Sequence, residues 1–415
     1  MSARAITACR CCGATAFESV LSLGVQHLTG VFPRSTEERV TSGPLELVKC
    51  VSADGCGLVQ LRHTYDSAEM YGANYGYRSG LNQSMVRHLG ETVASIVATY
   101  PPSPDALVLD IGSNDGTTLS FMPTSVRRVG MDPTIVKYGQ YYAEGIQKIP
   151  DFFSARTFRA NFGDERAEII TSIAMFYDLD DPLAFVRDIA DVLAPNGIWY
   201  FEQSYLLTML TQNAYDTICH EHLEYYALRQ ITWMMQRCGL RVIDVRLNDV
   251  NGGSFSVTVC HEGATHQPNA SAIAEVEAGE RLARLDELEP YHAFAGRVVA
   301  HRDALKALIG DIRSRGESIL GYGASTKGNV ILQYCGLTSA DIPAIAEVNP
   351  DKYGAFTPGT HIPIISEAEA HARQPDYFLV MPWHFRENLI GRETAFLASG
   401  GKMIFPLPAI SVASA

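Results

Sequence analysis

The sequence lacks the features that would place the protein in a membrane, in the secretory route or on nucleic acid. No apolar run approaches the ~20 residues that a membrane-spanning helix needs, and the N-terminal residues contain no apolar signal-peptide segment. Positive charge is scarce, because 33 Lys and Arg stand against 46 Asp and Glu for a net charge of −13. This balance excludes a generally basic nucleic-acid-binding surface. We therefore expect a cytoplasmic protein with neither nucleic-acid nor membrane partners.

Cysteine is too sparse for a disulfide-stabilised scaffold, since nine cysteines are spread over 415 residues. With 47% hydrophobic and 19% charged residues, the chain is long enough for two or three globular domains. We divide it into residues 1–80, 81–268 and 269–415. The first part is rich in cysteine and turn residues, whereas the two later parts alternate short apolar segments with helical patterns. Such alternation predicts an α/β fold with parallel sheets.

Apolar runs and helical spacing give the predicted elements of these two later parts. The second part begins with apolar residues at helical spacing from Leu81 to Val97. Its predicted strands are residues 106–111, 127–131, 169–174 and 197–202. The third part opens with helices interrupted near Pro290, followed by predicted strands at residues 318–322, 342–348, 377–381 and 403–405. We therefore expect two α/β domains behind a small N-terminal module.

Four of the five cysteines before residue 57 form two closely spaced pairs. The pairs are Cys9 with Cys12, and Cys50 with Cys56. A glycine follows each pair and lets the backbone turn around a metal. Two pairs of thiolates suit the closed tetrahedral site that Zn²⁺ prefers, and they leave no ligand position open for catalysis. The pattern therefore predicts a structural zinc ion, with unrelated buried cysteines as the alternative.

A loop of small residues follows the predicted strand 106–111 and reads Asp-Ile-Gly-Ser-Asn-Asp-Gly over residues 110–116. Its spacing differs from the dinucleotide fingerprint G-x-G-x-x-G, and it lacks the lysine of a phosphate-binding P-loop. It resembles the S-adenosylmethionine loop of class I methyltransferases, in which the carboxylate ending the strand faces the cationic amino-acid part of the cofactor. The candidate cofactor-binding residues here are Asp110, Gly112, Asn114, Asp115 and Gly116.

Two further positions fit the same cofactor. Asp132 ends the next predicted strand, 16 residues after Gly116. A carboxylate at this place can accept hydrogen bonds from both ribose hydroxyls. Asp151 and Phe152 follow another short segment and are candidates to flank the adenine. The alternative is a structural strand–turn–helix with a capping side chain.

Polar and aromatic side chains cluster in residues 213–226, just after the predicted strand 197–202. The carboxyl ends of strands line the ligand crevice of a doubly wound sheet. We therefore expect His220, Glu221 and His222 to reach that crevice, where histidine suits proton abstraction. The two histidines are two residues apart, unlike the pair of H-E-x-x-H, which disfavours a metal site. A polar helix start capped by Asp216 or Thr217 is the structural alternative.

A second loop of small residues, at 318–329, again follows a predicted strand and opens a helix. Ser325, Thr326 and Lys327 at the helix N-terminus predict an anion site for a diphosphate. Glu347, after the next strand, is the candidate to hold a ribose. A nicotinamide site and a purely structural turn are the alternatives. We add two amides to the candidate substrate-binding residues, Asn213 of the histidine segment and Asn329 of this loop.

Together these motifs resemble the nucleotide-sugar C-methyltransferases, and the resemblance covers nearly the whole chain. It rests on DIGSNDGT, EQSY, NAYDTICHEHLEYY, GYGASTKGN and EVNPDKYG behind the cysteine pairs. It implies a class I methyltransferase Rossmann-like core between a zinc-binding module and a C-terminal Rossmann-like domain. It also implies methyl transfer from S-adenosylmethionine to C-3 of a dTDP- or GDP-linked 4-keto-6-deoxy sugar, through an enolate. No long heptad seam demands more than a monomer or weak dimer.

The resemblance also assigns roles within the reaction. It makes His222 the base, with Glu221 orienting it, and a tyrosine, Tyr75 or Tyr77, closing over the sugar. The chain departs from the family at two places, with Cys219 in place of a tyrosine and residues 175–178 in place of a loop that carries a histidine. The candidates to take over the lost groups are His220, Tyr177 and Asp178. The alternative functions are O- or N-methylation of another metabolite and nicotinamide-dependent oxidoreduction.

Overall fold

The N-terminal part forms a small antiparallel sheet that the next part of the chain completes. The computed structural model describes residues 3–65, 70 and 77–415. Strands β1 to β5 are Arg4–Ala5, Phe17–His27, Ser42–Cys50, Val59–Leu61 and His63–Thr64. β1 pairs with β5, β3 lies between β2 and β4, and the free edge of β4 pairs with the two-residue strand Glu224–Tyr225. The cysteine-rich module therefore shares a sheet with residues far along the chain.

The second part contains a seven-stranded sheet in the order β12-β13-β10-β9-β6-β7-β8. Strands β6 to β10 are Leu107–Ile111, Arg127–Met131, Ile146–Ile149, Ala167–Ile173 and Leu193–Ser204, β11 is Glu224–Tyr225, and β12 and β13 are Leu240–Asn248 and Ser254–His261. Helices α1 to α7 are Gln83–Thr99, Thr117–Ser120, Ile135–Tyr138, Ala155–Phe162, Pro182–Val192, Leu206–Thr211 and Leu228–Arg237. Only β13 runs antiparallel to its neighbours within this described sheet. The expected class I methyltransferase core is confirmed.

Local sequence explains why the elements at the centre of this core form. All five residues of β6 are buried, as befits a parallel strand with helices on both faces. The α1 helix starts where the Asn82 side chain accepts a hydrogen bond from the Ser84 amide at 3.0 Å. Its buried residues, Met85, Leu89, Val93 and Ile96, recur at helical spacing.

The third part repeats the α/β pattern with a six-stranded sheet in the order β16-β15-β14-β17-β18-β19. Strands β14 to β19 are Ile319–Tyr322, Ile345–Glu347, Ile364–Ser366, Tyr377–Val380, Lys402–Phe405 and Ser411–Ala413. Helices α8 to α13 are Ala270–Leu282, Glu289–Ser314, Thr326–Cys335, Glu367–Ala372, Arg386–Arg392 and Thr394–Ala398. All pairs are parallel except β18 with β19. The expected C-terminal Rossmann-like domain is present.

The long helix α9 connects the two larger parts. Pro290 lies in its first turn, where the missing amide hydrogen costs nothing, so the predicted interruption is the start of the helix. Tyr291, Phe294, Val298 and Leu305 form its buried face. Helices α9 and α10 both pack against β2 of the N-terminal sheet. One hydrophobic core therefore runs through all three parts. None of the helices in the described residues combines the length and the apolar character needed to cross a membrane.

Candidate active site

The four predicted metal-binding cysteines lie together at one end of the N-terminal sheet. The Sγ atoms of Cys9, Cys12, Cys50 and Cys56 are all within 4.8 Å of one another. The distances from Cys9 to Cys56 and from Cys12 to Cys50 are both 3.7 Å. Four sulfurs about 2.3 Å from a tetrahedral zinc stand ~3.8 Å apart, so this donor set fits the ion.

The zinc-binding module holds the histidine segment directly. Arg10, between the cysteines, donates from Nη1 to the Leu61 carbonyl at 2.7 Å, and its Nε lies 3.7 Å from a Glu224 carboxylate oxygen. The Leu61 amide donates to the Leu223 carbonyl at 2.8 Å, and the Leu223 amide donates to the Tyr177 carbonyl at 2.7 Å. The backbone just after His222 is therefore tied both to the metal-binding sheet and to the core loop that carries Tyr177.

The loop after β6 has the backbone shape that a close ligand approach requires. Gly112, Asn114 and Gly116 all have positive φ, at 70°, 52° and 77°, a conformation that glycine and asparagine tolerate. Asp110 is buried beneath this loop and accepts a hydrogen bond from the Thr171 hydroxyl at 2.6 Å. Burial raises the pKa of Asp110 to about 7. A cationic group beside it would favour the ionised carboxylate, which suits the ammonium of S-adenosylmethionine.

Asn114 and Asp115 hold a neighbouring segment in place, and their contact with the cofactor stays a prediction. The Asn114 side chain accepts from the Ser79 amide at 3.0 Å, and Asp115 accepts from the Gly80 amide at 2.9 Å. These bonds hold the segment before α1 against the glycine loop. Tyr77 follows the undescribed stretch and is 45% exposed, with its carbonyl bonded to the Asn114 amide group. Tyr75 lies outside the described residues.

Two side chains missed by sequence reasoning pack on the glycines of this loop. The Tyr142 hydroxyl lies 2.7 Å from Ser113 Oγ, and a Cβ on Gly116 would meet the Tyr142 ring at 2.8 Å. A Cβ on Gly112 would lie 3.0 Å from the Met175 side chain. The glycines thus serve these contacts as well as a ligand. In the sequence, the one feature that could have pointed to these contacts is the pair of adjacent tyrosines at residues 141 and 142.

The remaining cofactor candidates surround the same loop. Asp132 accepts hydrogen bonds from the Asn114 amide at 2.8 Å and from the Thr134 amide at 2.6 Å. This places its carboxylate beside the glycine loop, at the end of the neighbouring strand. Asp151 and Phe152 follow β8, and the Phe152 side chain is 53% exposed. The structure therefore brings all of these candidates to one edge of the sheet.

His222 has the geometry of a general base. Its Nδ1 lies 2.8 Å from the Thr217 carbonyl oxygen, which can only accept, so Nδ1 carries the proton and Nε2 has the free lone pair. Burial and the charge of Lys327 lower the pKa of His222 to about 3. The imidazole is therefore neutral near pH 7. Its ring centroid lies 4.3 Å from that of Tyr177.

His220 lies on the other side of the segment, away from the expected crevice. It is fully buried, with Nε2 3.5 Å from the Gly43 carbonyl and its ring edge-on to Tyr65 at 4.6 Å. The chain turns at His220 and Glu221, so the two imidazoles have different neighbours, and His222 contacts Thr217 and Tyr177. Burial lowers the pKa of His220 to about 4. The structure thus gives His220 a packing role where a catalytic one was expected.

Glu221 and Cys219 lie at the contact between the three parts. A Cβ on Gly30 would meet Glu221 Oε1 at 2.6 Å and Thr326 Oγ1 at 3.8 Å, so these groups meet over the Gly30 backbone. Burial raises the pKa of Glu221. Cys219 is fully buried, and its pKa is raised by burial and then by the charges of Glu221 and Asp178.

Lys327 crosses from the C-terminal domain into the core. Ser325 caps α10 by accepting from the Gly328 amide at 3.0 Å. The Lys327 ammonium donates to the Asn251 carbonyl at 2.6 Å, in the turn between β12 and β13. It therefore points toward the histidine segment and not along the loop, where a diphosphate was expected.

Two other substrate candidates serve the fold. Glu347 accepts hydrogen bonds from the amides of Ala324, Val348 and Asn349 at 2.8–2.9 Å. Asn329 is 1% exposed and donates to the Thr29 carbonyl at 2.8 Å. These contacts shape the loop and fix it to the N-terminal sheet, and the ribose and substrate contacts expected of Glu347 and Asn329 stay predictions.

Asn213 and Asp216 belong to the wall facing Lys327. Asn213 has a φ of 53° and lies in the tight turn that enters the helical turn Tyr215–Thr217. Asp216 is fully buried and accepts a hydrogen bond from Trp383 Nε1 at 2.7 Å. Sequence reasoning placed Asp216 as a helix cap and missed its partner, because Trp383 is 167 residues further along the chain.

The seven-stranded sheet, its glycine loop and the four-cysteine site together define an S-adenosylmethionine-dependent methyltransferase with a zinc-binding module. Comparison with protein families agrees. Residues 9–71 match a zinc-binding domain, residues 85–245 a methyltransferase domain, and residues 249–408 a C-methyltransferase C-terminal domain. The chain is 32% identical to the C-methyltransferase NovU of Streptomyces niveus over 421 residues, which cover 99% of this chain and 98% of that protein. The chain therefore belongs to the family of zinc-containing C-methyltransferases.

Two solved structures are similar to part of the chain. A chain from the complex of the Haloferax volcanii Trm112 methyltransferase activator with a methyltransferase has a TM-score of 0.37 and 16% identity, covering 44% of this chain and 94% of its own. The mitomycin 7-O-methyltransferase MmcR has a TM-score of 0.34 and 16% identity, covering 44% of this chain and 55% of its own. Membership of the C-methyltransferase family replaces the nicotinamide alternative for the second loop.

Proposed function

We propose that the enzyme methylates C-3 of a nucleotide-linked 4-keto-6-deoxy sugar, with His222 as the base. The observation that carries this proposal is the neutral His222 imidazole, whose Nδ1 is fixed on the Thr217 carbonyl at 2.8 Å. Helix α10 of the C-terminal domain packs against Tyr215–Thr217, the turn whose carbonyl binds this imidazole. A carbon next to a ketone becomes a nucleophile only after it loses a proton, and a positioned base of this kind performs that step.

Nε2 of His222 takes the C-3 proton, and the electrons of the broken C–H bond move toward the ketone oxygen as an enolate. The imidazolium that forms keeps its Nδ1–H bond to Thr217, so the ring does not turn. S-adenosylmethionine, when bound, supplies a methyl group on a sulfonium that leaves as a neutral thioether. Asp110 is proposed to hold its ammonium, Asp132 its ribose, and Asp151 with Phe152 its adenine.

The N-terminal module supports catalysis through the position of the histidine segment. Its zinc has four thiolate ligands and therefore a structural role. The hydrogen bonds from Leu61 to Leu223 and from Leu223 to Tyr177 fix the backbone that carries His222. We propose that Glu221 positions this segment against Thr29 and Thr326. It does not exchange a proton itself, because it is not among the groups that contact the His222 imidazole.

Two cations at the outer junction of the three parts support a diphosphate on the acceptor. Arg34 donates from Nη1 to the Tyr353 carbonyl at 3.1 Å and from Nη2 to the Asp351 carbonyl. Lys137 faces the same place from the core. Burial lowers the pKa of Lys137, the charge of Asp351 raises it, and the charge of Arg34 lowers it, so both residues lie near this side chain. Such a pair attracts a dianion. We call Arg34 and Lys137 the rim cations, and we assign the diphosphate to them in preference to Lys327.

Hydrogen exchange at the sugar carbon tests this function. The enzyme with bound S-adenosylhomocysteine is incubated in D₂O with dTDP- or GDP-linked 4-keto-6-deoxy sugar, and deuterium at C-3 is followed by NMR. We expect exchange with one of the two nucleotides, and methylation of the same carbon when S-adenosylmethionine is supplied. Methyl transfer to an oxygen or nitrogen without any C-3 exchange would support the O- or N-methyltransferase alternative.

A further inference from the structure

The sugar carbonyl needs a partner for its oxygen, and the chain has lost both groups that the family resemblance places there. Cys219 stands where a tyrosine was expected, and its thiol is a weak hydrogen-bond donor. Asp178 stands in the loop where a histidine was expected, and an ionised carboxylate would repel the negative oxygen of an enolate. Neither residue stabilises an oxyanion well, so another group must do so.

We propose that Lys327 binds the carbonyl oxygen of the acceptor and stabilises the negative charge that develops there as His222 removes the proton. This role rests on the proposed function, since it requires an enolate. It makes Lys327 a catalytic residue of the C-terminal domain acting with a base from the core. No proton transfer by Lys327 is needed, because a lasting ammonium charge beside the oxygen suffices.

The position of the ammonium supports this assignment. Lys327 is the second residue of α10, and its side chain spans the interface to reach the Asn251 carbonyl at 2.6 Å. Asn251 has a φ of 55° in a tight turn, and a Cβ on its neighbour Gly252 would lie 3.2 Å from the Trp383 ring. The carbonyl is therefore held by a rigid turn. The bond to Asn251 uses one of three ammonium hydrogens, which leaves donors for a ligand.

Titratable groups from several segments of the chain surround the Lys327 ammonium. Burial lowers the pKa of Lys327, whereas the charge of Asp216 raises it. Asp216 is anchored through Oδ2 to Trp383, while Oδ1 has no hydrogen-bond partner among the described residues. A buried carboxylate of this kind favours the charged ammonium. Burial lowers the pKa values of His222 and His384, and the positive charge of Lys327 lowers both of them further.

Lys327 and His222 lie on neighbouring segments, because α10 packs against the helical turn Tyr215–Thr217 and the Thr217 carbonyl binds His222. Glu221 and Thr326, the residues just before the two, both lie against Gly30. The base and the electrophilic group then act on adjacent atoms, the C-3 hydrogen and the C-4 oxygen. A buried site strengthens the interaction between the ammonium and the oxyanion, because little water screens it.

The test compares Lys327→Met with Lys327→Arg, and uses Lys306→Met, an exposed lysine on α9 of the same domain, as the matched control. For each variant, C-3 exchange and methyl transfer are measured per site that binds S-adenosylhomocysteine, which corrects for misfolded protein. We expect Lys327→Met to lower both rates by about 10²–10³-fold, as when an oxyanion donor is removed. Arginine should restore part of the rate, and Lys306→Met should leave it unchanged.

The pH profile gives a second readout that a structural role would not move. Removing the positive charge raises the His222 pKa, so the acid limb of the exchange rate should shift to higher pH in Lys327→Met. A higher KM for the nucleotide sugar with unchanged exchange and kcat would instead assign Lys327 to the diphosphate and overturn the proposal. Normal rates per site with only a lower melting temperature would also overturn it. Absence of exchange in the unaltered enzyme would contradict the proposed function itself.

Discussion

At the scale of single residues, a backbone carbonyl decides what His222 can do. The Thr217 carbonyl fixes the proton on Nδ1, and this leaves Nε2 as the acceptor in a ring that stays neutral at physiological pH. His220, two residues earlier, is more deeply buried and faces Gly43 and Tyr65. One histidine therefore serves packing and the other is available to substrate.

We expect His222→Asn to abolish C-3 exchange and methyl transfer, with losses of at least about 10²–10⁴-fold, the range for removal of a general base. Asparagine can still donate to Thr217, so the segment should keep its shape. Calorimetry should give S-adenosylhomocysteine affinity within about twofold of the unaltered enzyme. The control is His292→Asn, at an exposed position on α9. If exchange persisted in His222→Asn, the base would have to be another group.

Asp110 predicts a pH dependence of cofactor binding. Its folded-state pKa, raised by burial to about 7, lies above the ordinary value, so ionisation costs folding free energy that grows as pH rises from about 4 to 7. A bound ammonium offsets this cost. We therefore expect S-adenosylhomocysteine to bind more tightly as pH increases from 6 to 8, measured by calorimetry.

Asp110→Asn is the matching control for this pH dependence, because it removes the titrating group and keeps the side-chain size. The variant should bind more weakly, with an affinity that changes little between pH 6 and 8. In the absence of ligand, the melting temperature of the unaltered enzyme should fall relative to that of Asp110→Asn as pH rises toward 7. A flat binding profile for the unaltered enzyme would count against the contact between Asp110 and the ammonium.

Sequence reasoning located most of these residues but only part of their roles. The cysteine pairs, Asp110 and His222 were identifiable because each lies in a short local pattern. The contacts of Asp115 with Gly80 and of Lys327 with Asn251 were not, because the partners lie 35 and 76 residues away. Local spacing carries no information about which distant carbonyl or amide a side chain will meet.

At the scale of elements, long apolar runs were predictable and short paired strands were not. The predicted strand 106–111 corresponds to β6, Leu107–Ile111, and the predicted 197–202 to the middle of β10. β11 has two residues and is defined only by its pairing with β4, about 160 residues earlier. The hairpin of β12 and β13 was also missed. In both cases the strand depends on a partner more than on its own sequence.

The pairing of β11 with β4 predicts that zinc loss disturbs the catalytic segment. Structural zinc contributes on the order of 10 kcal/mol to small sites, and Cys9, Cys50 and Cys56 are buried in the same core as the apolar residues of the N-terminal sheet. We expect chelation, or Cys9→Ser, to increase amide hydrogen exchange in both Val59–Leu61 and residues 219–226, measured by mass spectrometry. Amides of β17, Tyr377–Val380, in the other sheet provide the internal control. Increased exchange limited to the cysteine loops would show that the histidine segment is supported independently.

At the scale of the whole molecule, the proposed active site lies where three parts of the chain meet. The zinc-binding sheet fixes the histidine segment, the core supplies the cofactor loop, and the C-terminal domain supplies Lys327. Asn329 of α10 bonds to Thr29 of the N-terminal module, so even the outer parts are in direct contact. This explains why motifs spread over the chain were needed before any function could be inferred.

The rim cations give the prediction that belongs to this scale, because Arg34 comes from the N-terminal module and Lys137 from the core. Both are exposed, so their attraction for a dianion acts through water and is screened by salt. We expect Arg34→Ala with Lys137→Ala to raise KM for the nucleotide sugar about tenfold, with kcat and S-adenosylhomocysteine affinity unchanged. The KM of the unaltered enzyme should rise with ionic strength, and that of the double variant should rise less. Lys306→Ala serves as the control for loss of an exposed positive charge elsewhere. Because the rim lies outside the reacting centre, a fall in kcat with unchanged KM would place the diphosphate elsewhere.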